Sequence, residues 1–490
     1  MPPGPVLCAH DRRRPGGTAG VAALTTRCSP APARLSRSGG DARAAAPVGL
    51  VHLGLGNFFR AHQAWYTHHA ADAAAWGHAA FAWRRGELAS TLQAQDCLYT
   101  LIERGPSTDT VEIVASVSEA HGGADHAAWL AALASARVAV VTLTVTEAGY
   151  CRGPDGRLDA GREDVAADVA RLRDDLAAPV TTAPARLVAG LAARRAAGNG
   201  PLALVPCDNV PGNAELVRHV VGDLACQVEP ALAEWIGEST AVVATVVDRI
   251  TPRAGSAEIE TAAKSTGRCD EVPVVTEAYS EWVLSGTFPA GRPRWEDAGA
   301  VFTEDVSGYE RRKLWLLNGA HSLLAYAGSM LGHASVADAF ADDRCREWVE
   351  QWWATAAAHL DQPPGEIAAY EAALGERFAN ARMHDQLARI AEDGSEKLVV
   401  RVLPVLRAER AAGRLPAAGT RILGAWLCHL RGFGAPVHDV RAAQLVPLAT
   451  GSVRHAARKV LCAIDSELAS DAEVVAAVAE QCQALVGAEK

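Results

Sequence analysis

Residues 48–57 read VGLVHLGLGN. An apolar run, Val48 to Leu53, leads into Gly54-x-Gly56, and the following FFRAHQAWYTHHAADAAAW suits a helix. Strand, glycine turn and helix open a dinucleotide-binding unit. The glycines let backbone approach a pyrophosphate, and the helix N-terminus offers unpaired N–H groups and a favourable dipole. The third glycine of the usual fingerprint is absent, because Phe59 stands in its place. The turn alone is therefore a weak sign, and its surroundings must carry the reading.

Three more apolar runs follow: RVAVVTLTVTE at 137–147, PLALVPCDN at 201–209 and AVVATVVDR at 241–249. Each is rich in Val, Leu or Thr and too short for a typical helix, and long Ala-rich segments separate them. Buried parallel strands alternating with helices account for this pattern. The runs end in polar residues: Gly54 and Gly56, Glu147, Asp208 and Asn209, and Asp248. Ligands in open α/β sheets bind beyond the carboxyl ends of the strands, so these ends are expected to meet at one site. HAAFAW, residues 78–83, is the expected second strand. Beyond it, Glu87 suits the ribose hydroxyls of NAD, while Arg84 and Arg85 suit the extra phosphate of NADP. NAD is the expected cofactor, with NADP open.

Past residue 300 the strand pattern fades. KLWLLNGAHSLLAYAG, CREWVEQWWATAAAHL, EIAAYEAALGERF and RILGAWLCHLRG carry the 3.6-residue spacing of helices. The expected fold is an α/β Rossmann-type domain over 47–295 followed by a mainly α-helical domain over 296–490. Residues 1–46, rich in Pro, Gly, Ala, Ser and Arg with Asp11 and Asp41 as their only acids, read as a disordered leader.

Composition removes several alternatives. The 490 residues exceed one ordinary core. The formal charge of -10 argues against a nucleic-acid footprint. Eleven cysteines without a CxxC pair indicate a reducing compartment, hence the cytoplasm, and no zinc spacing. The uncharged stretch 314–337 is long enough to span a bilayer, but Asn318, His321, Ser322 and His333 are costly in lipid, and no membrane partner is expected.

Within that stretch, KLWLLNGAHSLLAY (313–326) places an amine, an amide and an imidazole among apolar residues. On an α-helix with Lys313 at the origin, His321 falls near about 80° and Asn318 near about 140°, one arc of the surface. Burial lowers a lysine pKa, so Lys313 can act as general base near neutral pH. The Asn318 amide can stabilise an oxyanion, and the His321 imidazole can orient a hydroxyl. This suits hydride transfer at a secondary alcohol, which requires no metal.

GLGNFFRAHQAWYT, LTVTEAGY, CDNVPGN, VVDRITP, KLWLLNGAH and RFANARMHDQLARIAEDGSEK occur in one order along the chain. In this the sequence resembles the polyol-specific long-chain dehydrogenases, the mannitol dehydrogenase family. The resemblance implies Lys313 as catalytic base, Asn318 and Asn209 as oxyanion-stabilising amides and His321 as substrate-orienting histidine. It implies Asp248 as a substrate-side acid, Arg389 and Lys397 as contacts to a polyol or its acid group, and Glu310 as a gate for the proton. Gly54 and Gly56 with Phe58 and Arg60 look like the cofactor loop. Glu147 and Glu87 are expected on the cofactor side from their places at the strand ends. The implied substrates are a polyol, its ketose, a sugar acid or a sugar phosphate. The family is often monomeric, and no coiled coil or repeated apolar patch points to an oligomer.

Overall fold

The computed structural model describes residues 33–83 and 86–488. Arg84 and Arg85 lie outside the described residues, and the phosphate contact expected of them lies there too. Twelve strands are found among the described residues: β1 Val48–Leu53, β2 Gly77–Phe81, β3 Tyr99–Arg104, β4 Asp109–Val114, β5 Val117–His121, β6 Val140–Leu143, β7 Leu202–Pro206, β8 Thr240–Val242, β9 Ala244–Asp248, β10 Val274–Glu277, β11 Glu281–Ser285 and β12 Val301–Phe302.

The main sheet has the order β5-β2-β1-β6-β7-β8, and every pairing in it is parallel. The chain winds to one side from β1 and to the other from β6. The strand order therefore reverses between them, and a crevice opens there at the carboxyl ends. Gly54 and Thr144 flank this point. Apolar cores cover both faces of the sheet. A separate core fills the C-terminal helices.

Three features differ from the sequence reading. The run 241–249 is not one strand. Val243 donates its last main-sheet hydrogen bond to Leu204 O (2.9 Å). The Asn213 side chain then takes both backbone groups of Thr245, at 2.8 and 3.2 Å. This ends the ladder and sends β9 out to pair antiparallel with β11. Second, β3, β4 and β10 form a small sheet that was not expected. Third, residues 33–46, read as part of a disordered leader, are packed against the Rossmann domain. Leu35 is 1% exposed and packs on Leu98 and Ala115, Arg34 meets Glu271 at 2.6 Å, and Leu35 N donates to Cys269 O. Leu35, a short strand-like pairing and polar contacts such as Arg37 to Ala115 O and Val117 O hold 33–46 to the Rossmann domain.

The segment holding Lys313 also departs from a plain α-helix. Ser307–Arg312 is α-helical, Lys313–Asn318 is a π-helical turn, Gly319–Leu323 is α-helical again, and Leu324–Gly328 is a second π turn. Indole N–H groups from a neighbouring helix, Asp343–Ala357, stabilise the widening: Trp352 Nε1 donates to Trp315 O (2.7 Å) and Trp353 Nε1 to Leu316 O (3.0 Å). Carbonyls that shift out of the α ladder keep a partner in this way. Gly319 admits the Trp352 ring, which would lie 2.5 Å from a Cβ at that position. The 100° spacing used above thus does not apply across this turn. Among the described residues, no helix is long and apolar enough to cross a membrane.

Candidate active site

The glycine turn needs its glycine. Gly54 has φ +117, and a Cβ there would lie 2.0 Å from Thr144 O. Gly56 differs: a Cβ there would meet only Gly54 O, at 3.5 Å. No protein atom fills that space, which leaves room for a ligand at the start of the following helix. Gly54→Ala is expected to destroy nucleotide binding, because both backbone strain and overlap with Thr144 displace the turn. Titration with a nicotinamide nucleotide, followed by fluorescence, checks this, with a melting curve to separate loss of binding from loss of fold.

Gly54 lies between two cavities. One, of about 470 Å³, is lined by Gly56, Phe58, Asn209 and Asp248 from the Rossmann domain and by Lys313, Asn318 and His321 from the helical domain. The other, of about 920 Å³, runs over the ends of β1 and β6 to Trp83, His126 and Arg186. Together they form a groove of nucleotide and substrate size across the switch point.

Lys313 is 8% exposed. Its Nζ donates to Asn209 Oδ1 at 2.5 Å and to Val247 O at 2.7 Å, so two domains meet on one amine. Burial lowers its pKa, Asp248 opposes that shift, and the Arg377 charge adds to it. Asn318 Nδ2 and His321 Nε2 are buried and have no hydrogen-bond partner among the described residues. A buried polar group without a partner costs stability, so two on one cavity point to a polar ligand that satisfies them. Burial, with Arg377 and Arg401 nearby, lowers the His321 pKa to about 3, so the ring is neutral. It tilts against Phe378 at 4.9 Å.

Asp208, the acid of the CDN segment, is structural. It accepts from Tyr150 Oη (2.5 Å), Val145 N (3.1 Å) and Thr146 N (2.8 Å), tying the β6 loop to the end of β7. Thr146 is held there at φ +70.

Asp248 reaches the cavity but is not free. Arg377 forks onto it, Nη1 to Oδ2 at 2.7 Å and Nη2 to Oδ1 at 3.0 Å, and the same guanidinium holds Glu277 through two bonds of 2.9 Å. All three groups are buried. Burial pushes the Asp248 pKa up, but the charge and hydrogen bonds of Arg377 outweigh it and the net shift is downward. Burial leaves Glu277 raised. Sequence reasoning missed Arg377, although a pattern was present. On the helix Pro364–Ala379 the buried stripe is Ile367, Tyr370, Leu374 and Arg377, and a cation on an apolar stripe requires an anion opposite.

Other expected residues are placed differently. Glu310 sits on the outer side of Lys313, accepts from Gly212 N at 3.1 Å, and has a pKa raised by burial. Arg60 is turned into the protein: Nη1 donates to Val272 O (2.5 Å) and Nη2 to Asn57 Oδ1 (2.8 Å), so it pins the turn rather than lining the groove. Glu87 is exposed and lines neither cavity. Glu147 points to solvent and pairs with Arg152, while its neighbours Thr146 and Ala148 line the groove. Arg389 is exposed and lines a neighbouring cavity of about 520 Å³ that shares Ile250 with the Lys313 cavity. Lys397 is half-buried and donates to Ile390 O at 3.3 Å. One turn further along its helix, Arg401 donates to Asn318 O (3.4 Å) and Ser322 Oγ (3.3 Å). Sequence reasoning did not single out Arg401.

A Rossmann domain whose cleft is completed by a lysine, two amides and a histidine defines an oxidoreductase acting at a CH–OH group. Residues 48–297 match the mannitol dehydrogenase Rossmann domain and residues 305–486 match the mannitol dehydrogenase C-terminal domain. The chain belongs to the mannitol dehydrogenase family. It is 35% identical over 403 residues to mannitol 2-dehydrogenase of Cereibacter sphaeroides, covering 80% of this chain and 83% of that one. It is 36% identical over 370 residues to D-mannonate oxidoreductase of Escherichia coli (strain K12), covering 73% and 75%. The solved ternary complex of Pseudomonas fluorescens mannitol 2-dehydrogenase with NAD and D-mannitol superposes with a TM-score of 0.78 at 30% identity, covering 91% of this chain and 93% of that one.

Proposed function

We propose that the chain interconverts a polyol and its ketose, of the mannitol and fructose type, through a nicotinamide dinucleotide, NAD(H), with Lys313 as base. The buried Lys313 amine, held between Asn209 and Val247 on the cavity that also exposes Asn318 and His321, carries this reading. The groove fits the dinucleotide because Gly56 leaves open space at a helix start and unpaired polar atoms line both cavities. When bound, the nicotinamide supplies the hydride acceptor.

The residues of the chain do the rest. Neutral Lys313 takes the hydroxyl proton while the carbinol C–H bond breaks and the C=O bond forms. Asn209 spends its carbonyl on Lys313, so its NH₂ group is left for the substrate oxygen. Asn318 Nδ2 donates to the same oxygen as negative charge develops there. The His321 ring, neutral, fixes a neighbouring hydroxyl. Glu310, beside Lys313 on the solvent side, receives the proton on its way out. Asp248, held ionised by Arg377, keeps a negative charge near the lysinium that forms.

A second reading takes a sugar acid such as mannonate as substrate. It is favoured by Arg401, which lies behind Asn318 and forms no ion pair among the described residues, with Lys397 one helical turn away. A panel of hexitols, aldonates and their phosphates, followed at the absorbance of the reduced nicotinamide, separates the two. Turnover of hexitols above all others supports the ketose reading, and turnover of aldonates alone replaces it with the acid. Tight nucleotide binding with no turnover across the panel would leave a non-catalytic nucleotide-binding protein.

A further inference from the structure

The far end of the large cavity is built differently from the end beside Lys313. Trp83 stands two residues past the end of β2, and Gly123 two residues past the end of β5. Arg186 reaches in from the helix Ala183–Ala196 and bridges them. Its Nη2 donates to Gly123 O, and its guanidinium carbon lies 5.5 Å from the centroid of the Trp83 ring. Arg186 is 8% exposed, forms no ion pair among the described residues, and its Nε has no hydrogen-bond partner among them. Thr182 Oγ1, on the same wall, is buried and likewise unpartnered. One carboxylate lines this cavity among the described residues, Asp164, and Arg162 already forks onto both its oxygens at 3.0 and 2.7 Å. Buried Asp168, behind Thr181 and Thr182, also acts on Arg186 but is itself paired with Arg171 at 2.9 Å. Among the described residues, Arg186 is therefore a positive charge on this wall with no ion-pair partner of its own.

The place of that charge in the topology gives it meaning. In a doubly wound sheet the adenosine ribose lies beyond the end of the second strand. An acid there accepts the two ribose hydroxyls, whereas an arginine there accommodates a 2′-phosphate. The acid that stood for this task in the sequence, Glu87, is exposed and off the cavity. A guanidinium stacked on an indole and holding an unused N–H donor is instead present, and it matches a phosphate in charge and geometry.

We infer that Arg186, backed by Trp83, is a binding site for the 2′-phosphate of NADP(H), so that the chain accepts NADP(H) alongside NAD(H). The inference rests on the reading that a nicotinamide dinucleotide fills this groove. Arg186 acts on affinity for the adenosine end and takes no part in proton or hydride transfer.

Calorimetric titration of the whole chain with 2′,5′-ADP and with ADP tests this without turnover. 2′,5′-ADP is expected to bind roughly 10- to 100-fold more tightly than ADP, the worth of a charge-assisted pair. Arg186→Met keeps the length and apolar stem and is expected to abolish the difference while leaving ADP affinity close to that of the parent chain. Arg186→Lys is expected to keep part of it, and serves should the methionine variant fail to fold. Equal affinity of the parent chain for the two nucleotides overturns the inference, as does a fall in both affinities by the same factor in Arg186→Lys. If neither nucleotide binds, the failure lies with the dinucleotide reading of the groove, and the inference falls with it.

Discussion

Lys313→Ala is expected to lower turnover by roughly 10²- to 10⁴-fold, the contribution of a positioned general base, while nucleotide affinity and the melting curve stay near those of the parent chain. The amine combines burial, a lowered pKa and two acceptors that fix its position, and unlike the buried guanidinium of Arg249 on the same cavity it is a group that can give up its proton. Removing it leaves Asn209 Oδ1 and Val247 O facing the vacated space, where water can enter from the cavity, so the fold loses little. Turnover within a fewfold of the parent value would remove Lys313 from the chemistry. A collapse of both turnover and nucleotide binding would mean that the lysine is structural.

Arg377→Met is expected to cost about 3–5 kcal/mol of stability, because it leaves two buried carboxylates, Asp248 and Glu277, without their shared cation. Urea unfolding followed by circular dichroism reads the loss. The sign of its pH dependence separates this cause from lost packing. In the parent chain the Asp248 pKa is lowered, so the stability it contributes is present above its unfolded value and is lost as pH falls through the folded value. In the variant, burial without Arg377 raises the folded pKa of the carboxylates above the unfolded values. Stability then recovers as pH falls through those raised values. Activity should respond as well. The Arg377 charge lowers the Lys313 pKa, so its removal moves the alkaline rise of the oxidation rate to higher pH. A loss of stability that is the same at pH 5 and pH 8, with an unmoved rate profile, would reduce Arg377 to a packing residue.

Local patterning made one part of the molecule legible. The β1 run and Gly54 could be read only together with the helix-prone segment and the strand–helix alternation that follow them, because the glycine turn by itself is a weak sign. β6 and β7 followed from the same alternation; Thr146 and Asn209 just past them share the Lys313 cavity with Gly56, whereas Glu147 turns to solvent. Residues whose roles depend on distant partners were not legible. The break between β8 and β9 depends on the Asn213 side chain, which lies some thirty positions upstream and takes the Thr245 backbone. The π turns at Lys313 depend on two indoles of another helix. Sequence spacing put Lys313, Asn318 and His321 on one face by assuming 3.6 residues per turn. They do share a cavity, but on a wider backbone. Arg60 and Asp208 resembled ligand-binding residues by position, yet each spends its polar atoms on backbone and side chains of the protein itself. Position along the chain does not distinguish a side chain that holds a loop from one that holds a ligand.

The pH dependence of kcat/KM for polyol oxidation, measured for the parent chain and for Lys313→Met, tests the central claim most directly. The account predicts that the parent rate rises with pH to a plateau through a single ionisation below the ordinary lysine value of about 10.4, and that the variant lacks this rise. The same rise, at the same pH, in Lys313→Met would contradict it and assign the base to another group.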